Sequence, residues 1–214
     1  MIHAYSELYL NDAQVLLANA MDYALNTCKQ APDWFAKVFA VSKLVKGFER
    51  GNPAIVSGKS AEEFVKEILA PILPGEQFPQ AAFSQDRSPA YWVGWVLAYY
   101  QWFTSKSYKD IFMRVSLSDI LAMYKIYHEM DLSNFVEDMN NRYNAVEIET
   151  NLKRIRSARG ISQNELARLS GVKKRSIQLY EQKVNDIDKA QAQTLYKISR
   201  VLGCTIEDLL ENPE

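Results

Sequence analysis

The chain has 214 residues, 48% of them hydrophobic and 24% charged, with two cysteines, two histidines and a formal net charge of -1. That length suits one large or two modest domains, and the balance is that of a globular protein, which excludes collagen, coiled coil and wholesale disorder. Cys28, Cys204, His3 and His128 are too dispersed for a structural zinc site or a disulfide framework, so no metal or cofactor and a reduced, cytoplasmic setting are expected.

The near-neutral total conceals a division. Residues 1–149 carry 13 Lys and Arg against 18 Asp and Glu, whereas residues 150–214 carry 12 against 8. Nine bases and two acids fall within residues 151–183, a local concentration that attracts polyanions. All four Trp, all nine Phe and ten of the twelve Tyr precede residue 150. Two compositions predict two domains, residues 1–145 and 150–214. The polar stretch holding Asn140, Asn141, Arg142, Asn144, Glu147 and Glu149 joins them.

The first domain reads as helical throughout. Met1 to Leu10 holds Glu7 and no base, which argues against a signal peptide and leaves His3 at a loose end. From Ser6 to Lys29, Leu10, Ala13, Leu17, Ala20, Met21, Ala24 and Leu25 recur at helical steps. Ala31-Pro32-Asp33 ends that helix. A second is expected from Asp33 towards Arg50, with Phe35, Val38, Phe39, Ser42, Val45 and Phe48 on its stripe. Ser60 and Glu63 have capping-box spacing, predicting a helix to Leu69, and the prolines at 71 and 74 open a loop to Ser88.

Ser88 to Ser105 carries no charge, but Gly94, Tyr99, Tyr100 and Gln101 interrupt its apolar centre, which fits a buried core helix better than a membrane span. Trp92, Trp95, Tyr99 and Trp102 line one side of it. Such a stripe can stack bases or line a pocket, and core filling is the expected role. Ser118 and Ser133 are the expected N-caps of two further helices. His128 sits near a helix end without a nucleophile beside it, Glu62 and Glu63 splay apart, and no glycine loop cradles a phosphate. No enzyme signature emerges.

From Thr150 the pattern sharpens. Thr150 caps a short helix with Leu152 and Ile155 inward, and Gly160 accepts the left-handed geometry of its end. Ser162-Gln163-Asn164-Glu165 has the form of a capping box, opening a helix through Leu166, Ala167 and Leu169 that Gly171 ends. Val172 turns inward, and a third helix from Lys174 is held down by Ile177 and Tyr180. This is a helix-turn-helix. Leu195, Ile198 and Leu202 on a fourth helix, then Ile206, Leu209 and Leu210 behind Thr205 on a fifth, complete the core.

The runs LKRIRSARGISQNELARLSGVKKRSIQLYEQ and TLYKISRVLGCTIEDLL resemble the Cro/repressor-like, or Xre, helix-turn-helix family over residues 150–210. Ser162-Gln163, Glu165-Leu166-Ala167, Ser170-Gly171-Val172, Ile177 and Glu181 all stand at that family's spacing. The implied fold class is all-α, an N-terminal helical domain of unassigned family followed by a five-helix lambda-repressor-like domain.

By this resemblance the partner is double-stranded DNA, bound by a homodimer. The third helix enters the major groove, offering Lys174, Arg175, Gln178 and Leu179 to base edges. Gln163, Asn164, Lys173, Ser176 and Lys183 lie towards phosphates, and Arg156 and Glu181 match a structural ion pair. Lys173 stands where the family has a Ser or Thr cap, and Lys183 where it has Gly. The expected function is a sequence-specific transcriptional regulator, with residues 1–145 supplying dimerisation, a partner surface or a small-molecule response. The alternative is an antitoxin or adaptor that binds a protein through residues 1–145 and uses DNA contact for autoregulation.

Overall fold

The computed structural model describes residues 3–81, 87–146 and 149–211, and within them every regular element is helical. Contacts divide the chain into two units, residues 1–146 and 147–214. Glu147 of the polar joining stretch and residues 82–86 of the expected loop lie outside the described residues.

In the first unit, α1 (Leu10–Asp22) continues into a π-helical turn, Tyr23–Thr27. Its stripe of Ala13, Leu17, Ala20, Met21 and Ala24 is buried. It packs along α6 (Pro89–Thr104), the aromatic segment, which opens with Pro89 at its first position and the Ser88 hydroxyl accepting from the Tyr91 amide at 3.1 Å. Gly94 lets the two helix backbones meet: a Cβ there would lie 2.6 Å from Ala18 Cα and nearer still to the Leu17 carbonyl oxygen. On α6, Tyr100 and Trp102 are buried, and Trp92, Trp95 and Tyr99 pack half-buried against the same core. No helix among the described residues is long and apolar enough to cross a membrane.

Where one helix was expected from Asp33 to Arg50 there are two, α2 (Pro32–Val41) and α3 (Lys43–Glu49). Ser42 between them is extended, with its hydroxyl accepting from the Leu44 amide at 3.3 Å. A serine on an apolar stripe has the same sequence signature as a stripe position, and here its capping tendency wins. After the single turn α4 (Pro53–Val56), α5 (Ala61–Leu69) opens with both halves of the Ser60–Glu63 box formed.

A further short helix, α7 (Tyr108–Arg114), buries Tyr108 and Ile111. α8 (Leu117–Tyr127) and α9 (Leu132–Ala145) are capped by Ser116 and Asp131, not by Ser118 and Ser133. Ser118 is held from α2 instead, donating its amide at 2.9 Å and its hydroxyl at 2.8 Å to Asp33. These bonds hold the Asp33 carboxyl below its ordinary pKa. The core is ring-rich, with Phe39 edge-on to Tyr108 at 5.1 Å and Phe48 beside Phe64 at 5.5 Å. His3 is docked rather than loose: its ring stacks on Trp102 at 3.8 Å, and the Ala4 amide donates to the Trp102 carbonyl at 3.0 Å.

The second unit contains α10 (Asn151–Ala158), α11 (Gln163–Ser170), α12 (Lys174–Glu181) and α13 (Ala192–Leu202). The fifth helix is a 3-10 turn, Glu207–Leu209, steadied by reciprocal bonds between Thr205 and Asp208. Leu152, Leu166, Ile177, Ile198, Leu202 and Leu209 form the buried centre. Ile187, on a 3-10 turn before α13, closes it from a segment with no legible apolar period.

Candidate nucleic-acid interface

The turn between α11 and α12 is built from small parts. The Ser162 hydroxyl accepts from the Glu165 amide at 3.1 Å, but the return bond of a full capping box is not formed. Gly171 ends α11 at φ 68°, a left-handed conformation that costs a residue with a side chain about 1 kcal/mol. The buried Ser170 hydroxyl donates to the Leu166 carbonyl at 2.6 Å and accepts from the Val172 amide at 3.2 Å. It thereby satisfies the backbone on both sides of the bend, a role that only the contacts disclose.

The rear of α12 is fixed by Ile177, fully buried, and by Glu181, whose side chain is 2% exposed. Arg156 of α10 grips that carboxylate with both prongs, Nε donating to Oε1 at 2.6 Å and Nη2 to Oε2 at 2.9 Å, while Nη1 donates to the Ile161 carbonyl at 2.7 Å. The bonds to Glu181 raise the Arg156 pKa, so the guanidinium remains charged. Gln163 of α11 donates from Nε2 to the same Oε2 at 2.7 Å. One carboxylate thus joins three helices. The bond from Gln163 was not legible in sequence, where its amide is read as facing a phosphate.

The front of α12 is different. Lys173, Lys174 and Arg175 are exposed and, among the described residues, have no ion-pair or hydrogen-bond partner on their side chains. Ser176, Gln178 and Leu179 are half-buried. Gln182, exposed at the helix end, follows Arg175 and Gln178 at helical spacing and shares their side, an addition to the expected set. At the start of α11, Asn164 is exposed and Gln163 half-buried. The structure therefore brings Lys173, Lys174, Arg175, Ser176, Gln178 and Leu179 onto one short helix and its approach, with Gln163 and Asn164 on the preceding helix.

Lys183 lies past the end of α12 at φ 55°, with its ammonium 3.9 Å from a Glu211 carboxylate oxygen. A left-handed residue with a Cβ here is strained, and the loose pair with half-buried Glu211 offsets little of that. Lys183→Gly will stabilise the second unit by about 1 kcal/mol in urea unfolding followed by circular dichroism.

Chemically this is a surface of unpaired cations and amides on a helix anchored from behind, suited to a polyanion with readable edges. Among the described residues no group of His, Cys, Asp and Glu is placed to hold a metal. Partial burial raises the Cys204 thiol above its ordinary pKa, which disfavours thiolate chemistry there. Residues 152–209 match the helix-turn-helix family model. No curated protein and no solved structure matches the chain. The family match supports a DNA-binding regulator in general.

Proposed function

We propose that this chain is a sequence-specific transcriptional regulator that lays α12 in the major groove of double-stranded DNA. The observation that carries this is the unpartnered group Lys173, Lys174 and Arg175 at the open start of a helix whose rear is locked by Ile177 and Glu181. Arg175 and Lys174 suit guanine O6 and N7, Gln178 suits adenine, and Leu179 suits a thymine methyl. Gln163, Asn164, Lys173, Ser176 and Lys183 lie along the phosphates. Gln163 retains a second amide hydrogen beyond its bond to Glu181, so holding the carboxylate and meeting a phosphate are compatible. A homodimer places two such helices on half-sites about 34 Å apart, and residues 1–145 supply the dimer contact or the response to a partner.

The test is selection from random duplexes with the full chain, followed by titration of the selected site at several salt concentrations. Arg175→Ala will weaken the selected site by about 1–3 kcal/mol and relax preference at one base pair. Lys173→Ala will weaken all sequences alike and lower the salt slope by about one. Binding that ignores salt, or no enrichment over random duplex, overturns the reading.

A further inference from the structure

We propose that the cavity between α6, α8 and α9 in the first unit is a binding site for a small organic cation, a quaternary or tertiary ammonium carried on an apolar body. The cavity holds about 500 Å3, within the range of small-molecule sites, and Tyr91, Trp92, Trp95, Tyr124, Tyr127 and Asp131 are among its lining residues. Six aromatic rings, these five and Phe135, line it together with one carboxylate and define its chemistry. Ring faces carry negative quadrupole charge and attract cations, most strongly where water is excluded.

The walls are set before any ligand arrives. Trp92 packs edge-on against Tyr124 at 5.6 Å and against Phe135 at 5.4 Å. His128 stacks on Tyr124 at 4.4 Å, with its Nδ1 2.8 Å from the Tyr124 carbonyl oxygen. Rings locked in this way lose little freedom on binding.

Carboxylates at the cavity and beside it favour a cation. Asp131 receives the Ser133 amide at 2.8 Å, and its bonds to Ser133 hold its carboxyl below the ordinary range, so it remains an anion at the rim. The adjoining groove adds Glu137 and Asp138, the latter shared with Arg142 at 2.9 Å. Arg87 is the one Lys or Arg among the lining residues, and its guanidinium lies 5.3 Å over the Tyr91 ring. The chain thus already sets one cation on the face of a cavity ring.

The experiment titrates the full chain, without DNA, with benzyltrimethylammonium, benzyl alcohol and benzoate, reading tryptophan emission and heat. The cation will saturate and bind about tenfold more tightly than the alcohol or the acid. Asp131→Asn, which retains a good N-cap for α9, will weaken the cation about fivefold and leave the alcohol unchanged. Trp95→Leu will weaken it about tenfold, with circular dichroism checking the fold. Alcohol binding as tightly as the cation would reduce the cavity to an apolar hole. Benzoate binding best, and losing affinity in Arg87→Gln, would make it an anion site. No saturable signal from any probe, or no effect of Asp131→Asn, also overturns the proposal. None of these outcomes depends on how α12 meets DNA.

Discussion

Replacing Glu181 by Ala will destabilise the second unit by about 3–5 kcal/mol, because the Arg156 guanidinium is left half-enclosed without its partner. That is comparable with the whole stability expected of a unit this small. The Arg156 side chain is 12% exposed and Glu181 2%, so water cannot replace the lost carboxylate as it would at the surface. Gln163 loses its acceptor in the same step. Urea unfolding of the full chain, followed by circular dichroism, reads the effect, since the second unit contains no tryptophan. The paired change Arg156→Met with Glu181→Leu will recover most of the loss, since matched apolar side chains replace a buried pair at little net cost. A Glu181→Ala chain within about 1 kcal/mol of the parent would show that the carboxylate is dispensable to the fold.

Gly94→Ala will destabilise the first unit by about 3 kcal/mol, against the direction of helix propensity. On an exposed helix the same change stabilises by about 1 kcal/mol. Here the new methyl meets backbone rather than a side chain that could swing away: the Leu17 carbonyl oxygen, and Ala18 Cα at 2.6 Å. Relief requires α1 and α6 to separate, which opens the packing of Leu17 and Leu97, both fully buried. Trp92 and Trp95 flank the site in sequence, so tryptophan emission follows the transition. An unchanged or raised urea midpoint would mean that the two helices do not meet at this residue.

The helix-turn-helix was legible because its signals are local. Thr150, Ser162 and Gly171 each act within one turn of themselves, and Leu166 and Ile177 lie on stripes that any helical wheel shows. Local signals failed where two candidates stood close together. Ser116 and Ser118 are equally good caps in isolation, and Asp33, 85 residues away, takes Ser118. Asp131 and Ser133 present the same choice, decided in favour of the carboxylate. Ser42 was hidden by its position on an apolar stripe, and α7 by its length of 7 residues.

The candidate site divides in the same way. Its exposed face follows from the helical wheel of residues 174–182, whereas the junction at Glu181 combines residues from three helices. The pairing of Arg156 with Glu181 was expected from the family resemblance, but nothing in the sequence reveals that Gln163 reaches the same carboxylate, nor that Ser170 closes the bend. The aromatic stripe of α6 was legible as core. Its partners around the cavity were not, since α8 contributes only Tyr124 and Tyr127 and α9 only Phe135.

The two ends of α12 are secured unequally. Its last turn is tied through Glu181 to two other helices, while Lys173 caps its first turn with no side-chain bond. Local opening therefore has opposite consequences at the two ends. Releasing the last turn undoes the whole module, but the residues ahead of the buried Ile177 can loosen and re-form while the rest stays folded.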